Sequence, residues 1–101
     1  MYIKTKFGEF EWDDTKAESN FRKHGLKFTD AVRIFAGDPL TELDERYDYE
    51  ETRKVSIGFI ESFLIVTVVH TQRGKATRII SARTASAKDR RRLAAFIARR
   101  H

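Results

Sequence analysis

Two side chains that can transfer protons, Lys23 and His24, stand next to each other where a short helix is predicted to end. Asp13 is a good N-cap for this helix, and Gly25 supplies the left-handed residue that commonly follows a helix. These local preferences explain Asp13 and Gly25 without any function, but they do not explain the lysine and the histidine. Histidine transfers protons near neutral pH, and lysine does so where burial or nearby cations lower its pKa. We therefore predict a helix over residues 14–24 that presents both groups at its end.

Arginines form a second set of residues with chemical potential, and they are concentrated in the second half of the chain. Residues 1–50 carry 8 Lys and Arg against 12 Asp and Glu, a net charge of −4. Residues 51–101 carry 12 against 3, a net charge of +9, and nine of these twelve cations are arginines. The planar guanidinium suits phosphate oxygens, so this half predicts a nucleic-acid partner. The alternative is a charged surface that faces only solvent.

The composition indicates a single globular domain spanning residues 1–101. The chain is 41% hydrophobic and contains no cysteine, and its three histidines lack metal-ligand spacing, so we expect no metal and no cofactor. No apolar run reaches the roughly 18–20 residues of a membrane span. The N-terminus lacks the apolar region of a secretory signal, which predicts a cytoplasmic protein without membrane contact.

Hydrophobic alternation predicts several strands. A first strand near the N-terminus is interrupted at Gly8 and resumes after it. Three later strands are expected around residues 55–59, 63–69 and 76–81, of which the continuous β-branched run is the buried central one. The stretch Thr71-Gln72-Arg73-Gly74 predicts a hairpin turn between the last two.

Capping signals predict two further helices. Thr29 is a candidate N-cap for a second helix, and residues 40–51 predict a short edge strand followed by an exposed loop. Ser86 with Asp89 three residues later is typical of a helix start, which places a third helix at the C-terminus. The pattern therefore predicts an α+β fold, an antiparallel sheet with two N-terminal helices and one C-terminal helix.

Four motifs, in order along the chain, resemble those of one protein family, the BrnT-type toxins of bacterial type II toxin–antitoxin systems. The motifs are Trp12-Asp13 with Lys16, Asn20, Lys23-His24-Gly25, Phe28 and Ala31; Glu51-Thr52-Arg53 ahead of Ile57-Gly58; Thr71-Gln72-Arg73-Gly74; and Arg78-Ile79-Ile80-Ser81-Ala82-Arg83, followed by the arginine-rich final helix. The resemblance covers about residues 10–92. It differs at Leu93, where the family leads us to expect a tyrosine or another polar aromatic residue.

The resemblance implies a RelE-like fold and cleavage of RNA without a metal, which inhibits translation and growth. It also implies a BrnA-type antitoxin that neutralises the toxin and binds operator DNA, in a complex with two copies of each chain.

The chemistry of RNA cleavage assigns roles to the candidate residues. Internal attack requires deprotonation of the 2′-hydroxyl, protonation of the leaving 5′-oxygen and stabilisation of the charge on the phosphate. We predict that Arg83 and Arg73 stabilise the scissile phosphate and that Lys23 or His24 transfers the protons. The predicted substrate-binding residues are Arg78, Arg91 and Arg92, the last two on a helix that faces either RNA or the antitoxin.

Other interpretations remain open at this point. The arginines could belong to a nucleic-acid-binding module without catalysis, or the chain could be an interaction domain that leaves RNA unaffected. His24 could simply contact the carbonyls at the end of its helix, where a cation is stabilised by about 0.3–1 kcal/mol. Trp12 and His70 are expected in the core, and Asn20 either bonds a neighbouring loop or contacts substrate.

Overall fold

The computed structural model of the protein describes residues 1–45 and 51–100. Its strands are β1 (Tyr2–Thr5), β2 (Gly8–Glu11), β3 (Leu40–Leu43), β4 (Arg53–Glu61), β5 (Leu64–Arg73) and β6 (Ala76–Thr84). Its helices are α1 (Asp14–His24), α2 (Phe28–Ala31) and α3 (Ala87–Arg100), and a 3₁₀ helix (Val32–Ala36) directly follows α2. No helix in these ranges is long and apolar enough to span a membrane.

The six strands form one mixed sheet in the order β1-β2-β6-β5-β4-β3. Four of the five neighbouring pairs are antiparallel, as predicted, but β2 pairs with β6 in parallel, with Glu11 beside Arg78. The prediction of a wholly antiparallel sheet is therefore wrong at this pair. Hairpins fix the direction of strands that are adjacent in sequence, whereas no short turn constrains β2 against β6. The α+β class is confirmed.

The first helix has the predicted bounds and caps. Asp13 is extended, and its carboxylate accepts a hydrogen bond from Lys16 N–H at 3.0 Å. This backbone hydrogen bond lowers the pKa of Asp13 below its ordinary value. Gly25 follows His24 with φ of 68°, a left-handed conformation that glycine adopts without steric cost. The local capping signals therefore explain why α1 ends at Lys23 and His24.

The second helix differs from its prediction. It begins at Phe28 after Lys27, so Thr29 lies inside it and is not its N-cap. Burial explains why this helix begins at Phe28. The residue is 2% exposed, and its ring packs edge-on against Trp12 with centroids 5.8 Å apart. The predicted edge strand after it is β3, whereas residues 46–50 of the predicted loop lie outside the described residues.

Two clusters of buried residues cover the two faces of the sheet. On the face that we call the α1 face, strand residues such as Val66 and Val68 pack with Trp12, Phe28 and Ile34. The opposite face, the α3 face, packs against α3 through a second buried cluster, which consists of Leu40, Ile57, Ala85 and Leu93. Trp12 is a core residue, as predicted. Leu93 is 2% exposed, so the position where a polar aromatic was expected is filled by an apolar core side chain.

Helix α1 lies along the edge of β6 where β2 no longer pairs with it. The β2–β6 register ends at Arg78, so no strand of the described residues pairs with the later part of β6 on that side. The buried Asn20 side chain accepts a hydrogen bond from Ala82 N–H (3.1 Å) and donates to Ala82 C=O (2.8 Å). A second donation from Asn20 reaches Leu26 C=O at 3.3 Å. Asn20 therefore replaces a missing strand partner and fixes the end of α1 beside β6.

Candidate functional site

On the α3 face, the arginine and hydroxyl side chains of the central strands lie in cross-strand rows that also contain valine and isoleucine. Alternate residues of a strand share a face, and so do residues directly opposite each other on neighbouring strands. The register therefore places three rows on this face, each with one residue from β4, β5 and β6. The rows are Arg53, Thr71 and Arg78; Val55, Val69 and Ser81; and Ile57, Thr67 and Arg83.

A β-bulge in β6 places Arg78 on this face together with Ser81 and Arg83. The register against β5 shifts at this point, and Ile80 has no partner in it. Without the extra residue, Arg78 and Ser81 would point to opposite faces, because they are three positions apart. The bulge therefore gathers two arginines and a hydroxyl along one strand, over about 15 Å at the usual rise of a strand.

Each arginine of these rows is held by a carboxylate. Arg78 Nη1 lies 2.9 Å from Glu11 Oε2, and both side chains are more than three-quarters buried. Arg53 Nε lies 3.2 Å from the carboxylate of Glu51. Arg83 Nη2 lies 3.1 Å from Oδ2 of Asp89 at the start of α3. The guanidinium groups are therefore oriented, and those of Arg78 and Arg83 keep donors for a ligand such as phosphate.

A cavity of about 530 Å³ opens next to Arg83. Its walls come from β3, the central strands and α3, and they include Glu42, Thr67, Val69, Arg83, Lys88, Asp89 and Arg92. Arg92 bridges two of these carboxylates, because it pairs with Glu42 on β3 and lies 3.5 Å from Asp89.

Lys23 and His24 line a smaller depression of about 220 Å³ between α1 and the edge of β6. Lys16 and Ser19, on the same side of α1, line it too, together with Ser81. Each charged side chain among the lining residues is basic, which suits an anion. Ser81 belongs both to this depression and to the middle row of the α3 face, so it connects the two regions.

The predicted site residues thus fall into three places. Arg78 and Arg83 lie on the α3 face, and Arg73, the exposed last residue of β5, lies on the same face as Thr71 by alternation. Lys23 and His24 lie at the adjacent edge. Two residues of the final helix differ from each other. Arg92 is held by carboxylates, whereas Arg91 is exposed and lies beside Arg90 and Ile65.

The site also contains residues that the sequence did not indicate as functional. Arg53 lies in the same row as Arg78 because of the strand register, which the sequence does not reveal. Lys16 shares a helix side with Lys23, a seven-residue spacing that was available as a signal. Asp89 was recognised only as a helix-start residue, although a single acid within an arginine-rich helix was a second available signal.

His70 belongs to the core and not to this site. It is 7% exposed, its Nε2 lies 2.7 Å from Ser56 Oγ, and its ring packs edge-on against Phe35. Burial, with a smaller contribution from Lys54, lowers the pKa of His70 from 6.5 to about 4. The prediction of a core histidine is confirmed. Across residues 1–45 and 51–100, no group of three or more His, Cys, Asp or Glu could hold a metal ion.

Comparison with known proteins decides the family. Residues 12–89 match the family described as the ribonuclease toxin, BrnT, of type II toxin–antitoxin systems. The chain belongs to the BrnT family. It is also similar to the crystal structure of the ribonuclease toxin BrnT of Brucella abortus, with 28% sequence identity and a TM-score of 0.57, over 76% of this chain and 95% of that one. No curated protein matches the chain.

Membership of the BrnT family confirms three predictions. The chain is a toxin, it is a ribonuclease and therefore an enzyme, and it belongs to a toxin–antitoxin system. RNA is accordingly its substrate class, and an antitoxin is its protein partner. The interpretation as a binding module without catalysis is excluded at the level of the family.

Proposed function

We propose that this chain is a metal-independent endoribonuclease that binds RNA along β6, with the scissile phosphate beside Ser81. The observation that carries this proposal is the position of Ser81. It lies between Arg78 and Arg83 on the α3 face, and it lines the depression that contains Lys23 and His24. A phosphate beside Ser81 would adjoin both the two arginines of β6 and the depression that Lys23 and His24 line.

Each group has a role that its chemistry suits. Arg83 and Arg78 stabilise the charge that builds on the phosphate, through donors that their carboxylate partners leave free. Arg73 supports the RNA backbone at the end of the face. Lys23 or His24 deprotonates the 2′-hydroxyl, and the other protonates the leaving 5′-oxygen. Arg92 supports this region from α3, and Arg91 contacts RNA further along or the antitoxin.

The biological role follows from the same chemistry. The enzyme has a RelE-like arrangement and acts in the cytoplasm, where cleavage of RNA inhibits translation and growth. A BrnA-type antitoxin neutralises it in a complex with two copies of each chain, and the antitoxin within this complex binds operator DNA. Family membership and the basic second half of the chain support these statements.

One assay tests the enzymatic proposal. Purified protein is incubated with a labelled RNA in excess EDTA, and the products are separated and their ends identified. We expect shorter products with 2′,3′-cyclic phosphate ends, because internal attack by the 2′-hydroxyl produces them. Loss of cleavage in EDTA that returns with a divalent metal would contradict metal independence. RNA that is retarded but intact under all conditions would contradict catalysis by this chain.

A further inference from the structure

The carboxylate of Asp89 accepts hydrogen bonds from three side chains. Its Oδ2 accepts one from Thr67 Oγ1 on β5 (3.0 Å) and one from Arg83 Nη2 on β6 (3.1 Å). Its Oδ1 lies 3.5 Å from Arg92 Nη1, three residues later on α3. The Asp89 side chain is 9% exposed, whereas those of Arg83 and Arg92 are 39% and 38% exposed. A buried carboxylate thus holds two half-exposed guanidinium groups.

The main chain fixes the position of this carboxylate. Asp89 N–H donates to Ser86 Oγ at 3.1 Å, which anchors the first turn of α3. Leu93, one turn later, is 2% exposed in the core of the α3 face, so the helix cannot rotate without exposing it. Thr67 lies directly opposite Arg83 in the sheet and holds the same oxygen atom. Since Asp89 is fixed from all these directions, its hydrogen bond to Arg83 restrains the arginine.

We propose that Asp89 is the positioning residue for Arg83 in RNA cleavage. This inference rests on the proposed function, in which Arg83 contacts the reacting phosphate. A guanidinium has five N–H donors, and the hydrogen bond to Asp89 uses one at Nη2, so paired donors remain for phosphate oxygens. Because Asp89 holds the flexible arginine in place before RNA binds, less side-chain entropy is lost on reaching the transition state. The negative charge of Asp89 itself repels phosphate, so its effect reaches the RNA through Arg83.

Cleavage kinetics test this role. Asp89→Asn keeps the size of the side chain and removes its charge. We expect kcat to fall by about 10- to 100-fold with a much smaller change in KM, because a misplaced catalytic group slows the chemical step. Glu61→Gln is the matched control, since it removes a carboxylate that holds Arg33, an arginine with no part in the proposed site. This control should leave kcat near that of the wild type.

A double-mutant cycle separates positioning from a merely structural role. In an Arg83→Ala background, Asp89→Asn should cause no further loss of kcat, because both residues act through the same guanidinium. An equal loss in both backgrounds would mean that Asp89 acts independently of Arg83, and the proposal would be wrong. If Asp89→Asn does not fold, Thr67→Val serves in its place. It removes a donor to the same oxygen at nearly constant volume, and it should show the same lack of additivity with a smaller loss.

An NMR measurement keeps this proposal distinct from the proposed function. The order parameter of the Arg83 side-chain N–H reports whether the guanidinium is restrained, with or without activity. We expect a restrained group in the wild type and a mobile one in Asp89→Asn. Equal mobility in both would overturn the positioning role even if the protein cleaves RNA. If the guanidinium is restrained but Arg83→Ala keeps full activity, the catalytic role of Arg83 is wrong. Asp89 would then restrain Arg83 without any effect on RNA cleavage.

Discussion

At the residue scale, the arginines of the α3 face are oriented by neighbouring carboxylates. Arg53, Arg78 and Arg83 each have a carboxylate within 3.2 Å. Exposed ion pairs typically contribute about 0–1 kcal/mol to stability, and for a buried pair the cost of desolvation offsets much of the attraction. Orientation is therefore the better explanation for these pairs, because an arginine that is already directed binds phosphate with less loss of side-chain freedom.

Arg83 carries the first prediction. Arg83→Ala should reduce RNA cleavage by about 10²–10³-fold, the usual effect of removing a donor that stabilises transition-state charge. Arg83→Lys should recover only part of this loss, because an ammonium cannot replace the paired donors of a guanidinium. The control is Arg33→Ala, since Arg33 also pairs with one carboxylate, Glu61 at 3.1 Å, but on the 3₁₀ helix. A folded Arg83→Ala protein that cleaves RNA at the wild-type rate would contradict this assignment.

The second prediction concerns which of Lys23 and His24 is the general base and which is the general acid. Each alanine variant should lose about 10²–10⁴-fold in rate on ordinary RNA, the range for a lost proton transfer. A substrate with sulfur in place of the leaving 5′-oxygen needs no protonation of the leaving group. Only the variant that lacks the general acid should therefore regain rate on this substrate. Full activity of both variants on ordinary RNA would show that neither residue transfers a proton.

At the scale of the elements, a chain of polar side chains, exposed at Thr41 and buried at Ser56 and His70, links three strands. Thr41 Oγ1 on β3 lies 2.7 Å from Ser56 Oγ on β4, which lies 2.7 Å from His70 Nε2 on β5. The neutral imidazole fits this environment, since burial with Lys54 nearby lowers its pKa from 6.5 to about 4. The folded chain therefore takes up the proton of His70 at lower pH than the unfolded chain does.

This pKa difference predicts how stability depends on pH. The contribution of His70 is fully present above pH 6.5 and is lost as pH falls towards 4, because the unfolded state binds the proton first. Between pH 7.5 and pH 5.0 the free energy of unfolding should fall by about 2 kcal/mol from this group. Urea unfolding at both pH values measures it, and His70→Gln should remove that part of the dependence. An identical pH dependence in His70→Gln would contradict the lowered pKa.

Elements were predictable where local signals determine them. Asp13 and Gly25 fixed the bounds of α1, and alternation located the three central strands. The parallel pairing of β2 with β6 joins Glu11 to Arg78 across most of the chain, and no turn between them signals it. The bulge at Ile80 was also invisible, so the common face of Arg78, Ser81 and Arg83 could not be derived. The sequence therefore suggests residue types for the candidate site, whereas the register that brings them to one face is visible only in the structure.

At the scale of the whole molecule, the net charge of +9 on residues 51–101 predicts that RNA binding depends on salt. Each phosphate neutralised by a cation releases counterions, so log K falls by about 0.7 per phosphate against log salt for single strands. Arg73→Ala should make this slope shallower by about 0.7, the change expected for one lost phosphate contact, without changing the fold. Arg33→Ala should leave the slope unchanged, and affinities measured from 50 to 300 mM salt test both. A slope that Arg73→Ala does not alter would place this arginine outside the RNA path.

The same charge determines how an antitoxin can inhibit the enzyme. An acidic or mixed segment of the antitoxin would be steered to the arginines that contact RNA, because complementary charge guides and orients association. Inhibition then arises from occlusion of the α3 face, and RNA and antitoxin should compete for it. Titration of the toxin–antitoxin complex with an RNA whose 2′-hydroxyls are methylated, and which cannot be cleaved, should release the antitoxin. Arg83→Ala and Arg78→Ala should weaken both partners, whereas Arg33→Ala should weaken neither. A ternary complex in which both partners keep their full affinity would rule out occlusion and require inhibition from a distant surface.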